Sequence, residues 1–150
     1  MNERSSDGNT ALINSCHFYG LQLQAYATLQ TKQEEVDDLR KKHREVVKDL
    51  ISASANPNAI DQTGMTPLMY AAESGDEEVV LLLIGAGADL AKKDNSGATA
   101  ATHALSHDHE KLGRDLESLA LEQPSPSPTA SESKFKQNVR RIWSRGPAGK

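Results

Sequence analysis

Three histidines, His103, His107 and His109, are the residues whose type and spacing come closest to a chemical site. His103 and His107 are one helical turn apart and could share a metal ion. The zinc-protease pattern needs a Glu directly after the first His, and Ala104 stands there instead. A metal centre also needs converging ligands and groups that orient them, and nothing nearby supplies these. The single cysteine, Cys16, reads as a small buried residue and not as a nucleophile. No glycine-rich phosphate loop, Ser/His/Asp set or pair of catalytic carboxylates can be assembled. The acids fall at helix starts or on solvated faces. The sequence therefore gives no catalytic residue, no metal ligand set and no cofactor, and the chain is not read as an enzyme.

The 150 residues bound the elements that could position a site. Aromatics make up only 4% of the chain, so the core must be aliphatic, which suits stacked helices better than a β-sandwich. One cysteine excludes an intrachain disulfide framework and points to a reducing, cytoplasmic setting, with nuclear or host-delivered locations left open. No apolar run is long enough to span a bilayer, and the opening M-N-E-R-S-S-D-G-N carries no apolar signal core. The net charge of −4 conceals two opposed parts. Residues 1–133 hold 11 Lys/Arg and 21 Asp/Glu (11 − 21 = −10), whereas residues 134–150 hold 6 Lys/Arg and no acid (+6).

The chain is organised around Asp61–Lys93. Asp61 to Gly64 is turn chemistry. Thr66 is a helix N-cap and Pro67 fits the first helical position, where no N–H is needed. Leu68, Ala71 and Ala72 form a slim apolar face, and Gly75 ends the helix. Asp76, Glu77 and Glu78 favour the start of a second helix, which Val79, Val80, Leu82, Leu83 and Ile84 bury and Gly85 and Gly87 close.

The segments T-P-L-M-Y-A-A and G-A-G-A-D within this turn-helix-turn-helix unit closely resemble the ankyrin repeat, whose units have about this length. The family usually carries His where Met69 stands, and that His bonds to Thr residues. The resemblance therefore implies looser turn anchoring here.

Two further units follow from offsets. Gly8, Thr10 and Leu12 lie 56 positions before Gly64, Thr66 and Leu68 (64 − 8). Val46, Val47, Leu50 and Ile51 lie 33 before Val79, Val80, Leu83 and Ile84 (79 − 46). The difference, 56 − 33 = 23 residues, is an insertion between the helices of the first repeat. The stripes Leu12, Cys16, Tyr19, Leu23, Tyr26 and Val36, Leu39, His43, Val46, Leu50 step by threes and fours, as in a coiled-coil seam. Thr31 with Glu34 is a capping box that starts the second stripe. Both helices should thus be overlong and antiparallel, each extended by roughly 17 Å, with the hairpin projecting away from the turn tips and Gly20 as a bend. A third repeat starts at Asp94, with Gly97, Thr99 and Ala104 repeating Gly64, Thr66 and Ala71. Its second helix is worn, with Gly113 and Asp115 in place of Val80 and Leu82. Leu112, Leu116, Leu119 and Leu121 keep an apolar stripe suited to a terminal cap.

The expected fold is an all-α solenoid. Residues 1–121 form an ankyrin-like stack: repeat 1 at about 5–60, repeat 2 at 61–93, repeat 3 at 94–121. Residues 122–133 are a Ser/Pro-rich linker that cannot bury a core, with Ser125 and Ser127 in Ser-Pro pairs. Residues 134–150 are a basic amphipathic tail. Phe135, Val139, Ile142 and Trp143 share one helical face, flanked by Lys136, Arg140 and Arg141.

The resemblance implies a protein-binding module. Carried over position by position, the contact residues are Ile60, Gln62, Thr63, Met65, Glu73 and Ser74 in repeat 2. In repeat 3 they are Lys93, Asn95, Ser96, Ala98, Ser106 and His107, with Lys92 adjoining. The alternative is a tether in which the tail holds an anionic membrane or acidic partner, nucleic acid ranking last. The chain would be a monomer or self-associate weakly through its helical hairpin.

Overall fold

The computed structural model describes residues 10–28 and 32–122. Among them are six helices and no strand: α1 (Ala11–Thr28), α2 (Gln33–Ser52), α3 (Pro67–Ser74), α4 (Glu77–Gly85), α5 (Ala100–Ser106) and α6 (Glu110–Glu122). They pair as α1/α2, α3/α4 and α5/α6. The first helices form an inner row, α1 against α3 and α3 against α5, while α2 lies against α4.

The second repeat forms for the reasons its sequence gives. The Thr66 hydroxyl accepts the Met69 N–H at 3.2 Å, and Pro67 opens α3. Gly75 ends it at φ 70°, and its missing side chain matters a second time because the His109 ring fills that space. The Asp76 carboxylate then caps α4 by accepting the Val79 N–H at 3.3 Å. The core is aliphatic. Leu12, Val47, Leu68, Val79, Val80, Leu83, Leu116 and Leu119 are all buried. Met69 is buried as well, and its thioether accepts the Thr66 N–H at 3.4 Å. The turn therefore keeps the second half of its capping arrangement, through a weak sulfur acceptor. In α5 Thr102 takes the same place beside Thr99.

The hairpin α1/α2 is long. α1 has 18 residues against 8 in α3, and α2 has 20 against 9 in α4. The excess of 10 and 11 residues is about 15 and 16 Å. Helix α1 runs through Gly20 without interruption. Four further expectations need correction. Thr31 lies outside the described residues; the N-cap of α2 is Lys32, without a side-chain cap bond, so Glu34 stands one position too early for the reciprocal box. Val46 is exposed while Val47 is buried, because α2 ends the row and turns Val47, not Val46, into the stack. Leu121 is 90% exposed and drops out of the α6 stripe. Gly113 is not a worn position: a Cβ there would meet Leu105 Cγ at 2.6 Å and the Ala101 carbonyl at 3.2 Å, so glycine lets α6 approach α5.

Candidate protein-binding surface

The turns before α3 and α5 form two parallel tips. In each, one aspartate organises the backbone. Asp61 Oδ1 accepts the Thr63 N–H (2.8 Å), the Thr63 hydroxyl (2.7 Å) and the Met65 N–H (3.0 Å). Asp94 Oδ1 does the same for the Ser96 N–H (2.8 Å), the Ser96 hydroxyl (2.6 Å) and the Ala98 N–H (3.0 Å). The second carboxylate oxygen bonds a side chain on the following helix: Tyr70 Oη donates to Asp61 at 2.6 Å, and His103 Nε2 lies 2.8 Å from Asp94. Burial works to raise the Asp61 pKa, but donors from Tyr70, Thr63 and the backbone outweigh it and hold the carboxyl below its ordinary value. The Ser96 hydroxyl and then His103 hold Asp94 lower still.

The tips are bound to each other as well. The Asn95 N–H donates to the Thr63 carbonyl (3.0 Å), and Asn95 Nδ2 donates to the Gln62 carbonyl (3.0 Å). Gly64, at φ 80°, permits this approach, since a Cβ would stand 2.8 Å from Asn95 Oδ1. Behind the tips Asn58 joins the repeats, donating to the Gly87 carbonyl (2.9 Å) and accepting the Asp89 N–H (2.7 Å). Lys92 Nζ donates to the Asn58 carbonyl at 2.9 Å.

These bonds sort the residues named from the sequence. Thr63, Asn95 and Ser96 are exposed, but their polar groups build the tips, and the Lys92 ammonium is tied to Asn58. Met65 is 8% exposed and packs into the core, so it offers least to a partner. Ile60, Gln62 and Lys93 are exposed and Ala98 is half-buried.

Glu73, Ser74 and His107 lie at the far end of the first helices. His107 Nδ1 is 3.0 Å from the His103 carbonyl, and Nε2 is 3.1 Å from Glu73 Oε1. Both ring nitrogens face oxygen atoms, one on the backbone and one on a carboxylate. The exposed Ser106 returns its hydroxyl to the Thr102 carbonyl at 2.9 Å. The three histidines are thus turned to separate partners: His103 to Asp94, His107 to Glu73, His109 to Gly75. Among the described residues no three His, Cys, Asp or Glu side chains converge as ligands would.

Glu73, Ser74 and His107 share a cleft of about 550 Å³ with the long hairpin. Leu21, Leu23 and Tyr26 of α1 and Val36 and Arg40 of α2 form its other wall. The His17 ring stacks on Tyr70 (centroids 4.9 Å apart, planes at 22°) and pins α1 to α3 beside it. The hairpin does extend from the end opposite the tips, but it also walls the groove there. The Leu23 and Tyr26 stripe signalled a seam in the sequence; nothing signalled that the seam would face the third repeat. Deeper in the same joint Tyr19 and His43 stack at 3.9 Å, planes 10° apart. Burial lowers the His43 pKa to about 4, only partly offset by Asp76 and the Ser15 backbone. Burial, with Asp76 close by, raises the Cys16 thiol to about 12, which leaves it inert as a nucleophile.

Serine-proline pairs Ser125 and Ser127 and the tail residues Phe135, Lys136, Val139, Arg140, Arg141, Ile142 and Trp143 lie outside the described residues. No described helix is long and apolar enough to cross a membrane.

Comparison with known proteins agrees with the geometry. Over 62 residues the chain is 42% identical to the glycerophosphocholine phosphodiesterase gde1 of Schizosaccharomyces pombe, a match covering 41% of this chain and 6% of that protein. The chain thus spans a small fraction of this relative's length. A family model for ankyrin repeats (3 copies) matches residues 38–116, from the middle of α2 into α6. With its stacked helix pairs and cross-linked tips, the chain belongs to the ankyrin-repeat family.

Proposed function

We propose that this protein is a non-catalytic binding module that holds a protein partner along the tips and the inner helices. The observation that carries the reading is the division of labour at the tips. Asp61, Asp94 and Asn95 fix the backbone through side-chain bonds, and Gln62 and Lys93 stand exposed on that fixed frame. A preorganised frame lowers the ordering cost that a partner would otherwise meet. Glu73, Ser74 and His107 extend the surface along α3 and α5. A shared segment amounting to 6% of a phosphodiesterase gives no argument for hydrolysis here. The setting proposed is the cytoplasm, where a lone buried Cys16 stays reduced.

The test compares partner capture by the full chain with that by a Gln62→Arg, Lys93→Glu double variant. Both sites are exposed, so the thermal melt should not move. Loss of the wild-type partner with an unchanged melt supports the reading. Retention of the same partner at the same affinity removes the tips from it. Deleting residues 122–150 should leave capture intact; its loss would transfer the function to the tail.

A further inference from the structure

The cleft has an apolar wall and an acidic shelf. Leu21, Leu23, Tyr26 and Val36, with Arg40 beside them, form the wall, and Leu21 is 50% exposed there. His109 belongs both to this cleft and to an adjoining hollow of about 460 Å³ whose charged lining is Glu77, Asp108 and Glu110 against the cation Lys111. The acids gather for a structural reason: α4 and α6 both begin at this end, and helix N-termini favour carboxylates. Two of them already meet cations, Glu77 with Lys111 (3.3 Å) and Glu110 with Arg114 (3.2 Å), but these pairs are exposed and weak. An apolar strip bordered by acids is the complement of a basic amphipathic helix.

The chain carries such a segment in residues 134–145. We infer that it docks in this cleft as a helix. Phe135, Val139, Ile142 and Trp143 cover the wall, and Lys136, Arg140 and Arg141 meet the shelf. The charges match, +6 in residues 134–150 against −10 in the rest. The reach is sufficient. Helix α6 starts beside the cleft and its 13 residues carry the chain about 20 Å away, to Glu122. The 13 residues from Gln123 to Phe135 (135 − 122) can span about 43 Å, so the tail can return. A docked tail covers Glu73, Ser74 and His107 and leaves the tips open, which would make it a competitor for one end of the groove. The inference rests on the cleft and the tail and stands whether or not the tips bind a partner.

Trp143 is the only tryptophan and reports the event directly. In the full chain its emission should lie to the blue of a synthetic peptide of residues 123–150, with acrylamide quenching reduced several-fold. Leu21→Arg, at a half-exposed position, and Arg140→Glu with Arg141→Glu should each return emission and quenching to the peptide values without moving the melt of the helices. A carbodiimide should link Lys136 to Glu73 or Glu77. Quenching equal to the peptide's in the wild-type chain overturns the inference. So does a blue shift that survives Leu21→Arg, one that vanishes on dilution together with a dimer, or one that appears only with anionic vesicles; these mean docking elsewhere, a second copy and a membrane, respectively.

Discussion

Two tyrosines mark two ways of holding helices together in this molecule. Tyr70, in the second repeat, donates its hydroxyl to Asp61 at 2.6 Å, and the same carboxylate organises the tip. Tyr19, in the hairpin, is 2% exposed, and its hydroxyl faces Asp76 and Arg40 without a well-formed hydrogen bond. The ring nitrogens of His43, Nε of Arg40 and Oδ2 of Asp76 are likewise buried there without a well-formed hydrogen bond. The tips are fixed by short local hydrogen bonds, whereas the hairpin joint relies mainly on apolar contact and ring stacking around buried polar groups that are poorly bonded. An unpaired buried polar group costs about 1–3 kcal/mol. The hairpin should therefore be the part that opens first, while the tips stay in place.

The largest expected effect separates the two regions by position. Leu83 is fully buried in α4, and Leu83→Ala should cost about 3 kcal/mol and lower the urea midpoint of the whole stack. Leu39→Asp, in the half-buried outer seam of α2, should instead melt the hairpin and leave α3 to α6 helical. Circular dichroism with limited proteolysis distinguishes them; a Leu39→Asp chain that loses all helix together would show that hairpin and stack are one cooperative unit.

A smaller effect contrasts the same substitution at two sites. Tyr70→Phe removes the donor to Asp61 Oδ2, while Oδ1 keeps its three, and should destabilise by about 1 kcal/mol. Tyr19→Phe removes a hydroxyl that makes no well-formed hydrogen bond and should cost less. Equal losses at both sites would mean that Tyr19 is satisfied after all.

A further effect depends on pH. The folded pKa of His43 is about 4, below its ordinary 6.5, with Asp76, Arg40, Tyr19 and Cys16 as its titratable or charged neighbours. Between those values the unfolded chain binds a proton that the folded chain does not. Stability should therefore fall as pH falls from 6.5 towards 4, by at most about 1.4 kcal/mol per unit. His43→Phe should flatten that slope. Asp61 and Asp94, held low, add their own loss only as pH drops below about the ordinary carboxylate range.

The repeats were legible because each signal is local. Thr66-Pro67 opens a helix, Gly75 closes it, and the offset of 33 residues repeats the pattern. The hairpin's length followed from the difference of two offsets. The cleft was not legible, because it depends on how α1 leans towards His107 and His109, which no spacing encodes. Val46 was misplaced since a three-four stripe fits Val46 and Val47 almost equally, and only the position of α2 at the end of the row decides between them. Gly113 looked like decay because sequence shows the missing side chain but not the neighbouring Leu105 that needs the room. The buried polar joint had no signature at all; His43 and Tyr19 looked like ordinary seam positions.

Native-state hydrogen exchange tests the contrast most directly. The account predicts that amides of residues 21–28 and 33–42 exchange through an opening several kcal/mol below global unfolding, while those of Val80, Leu83 and Leu116 exchange only with the whole stack. Protection of the outer hairpin equal to that of Leu83 would contradict it.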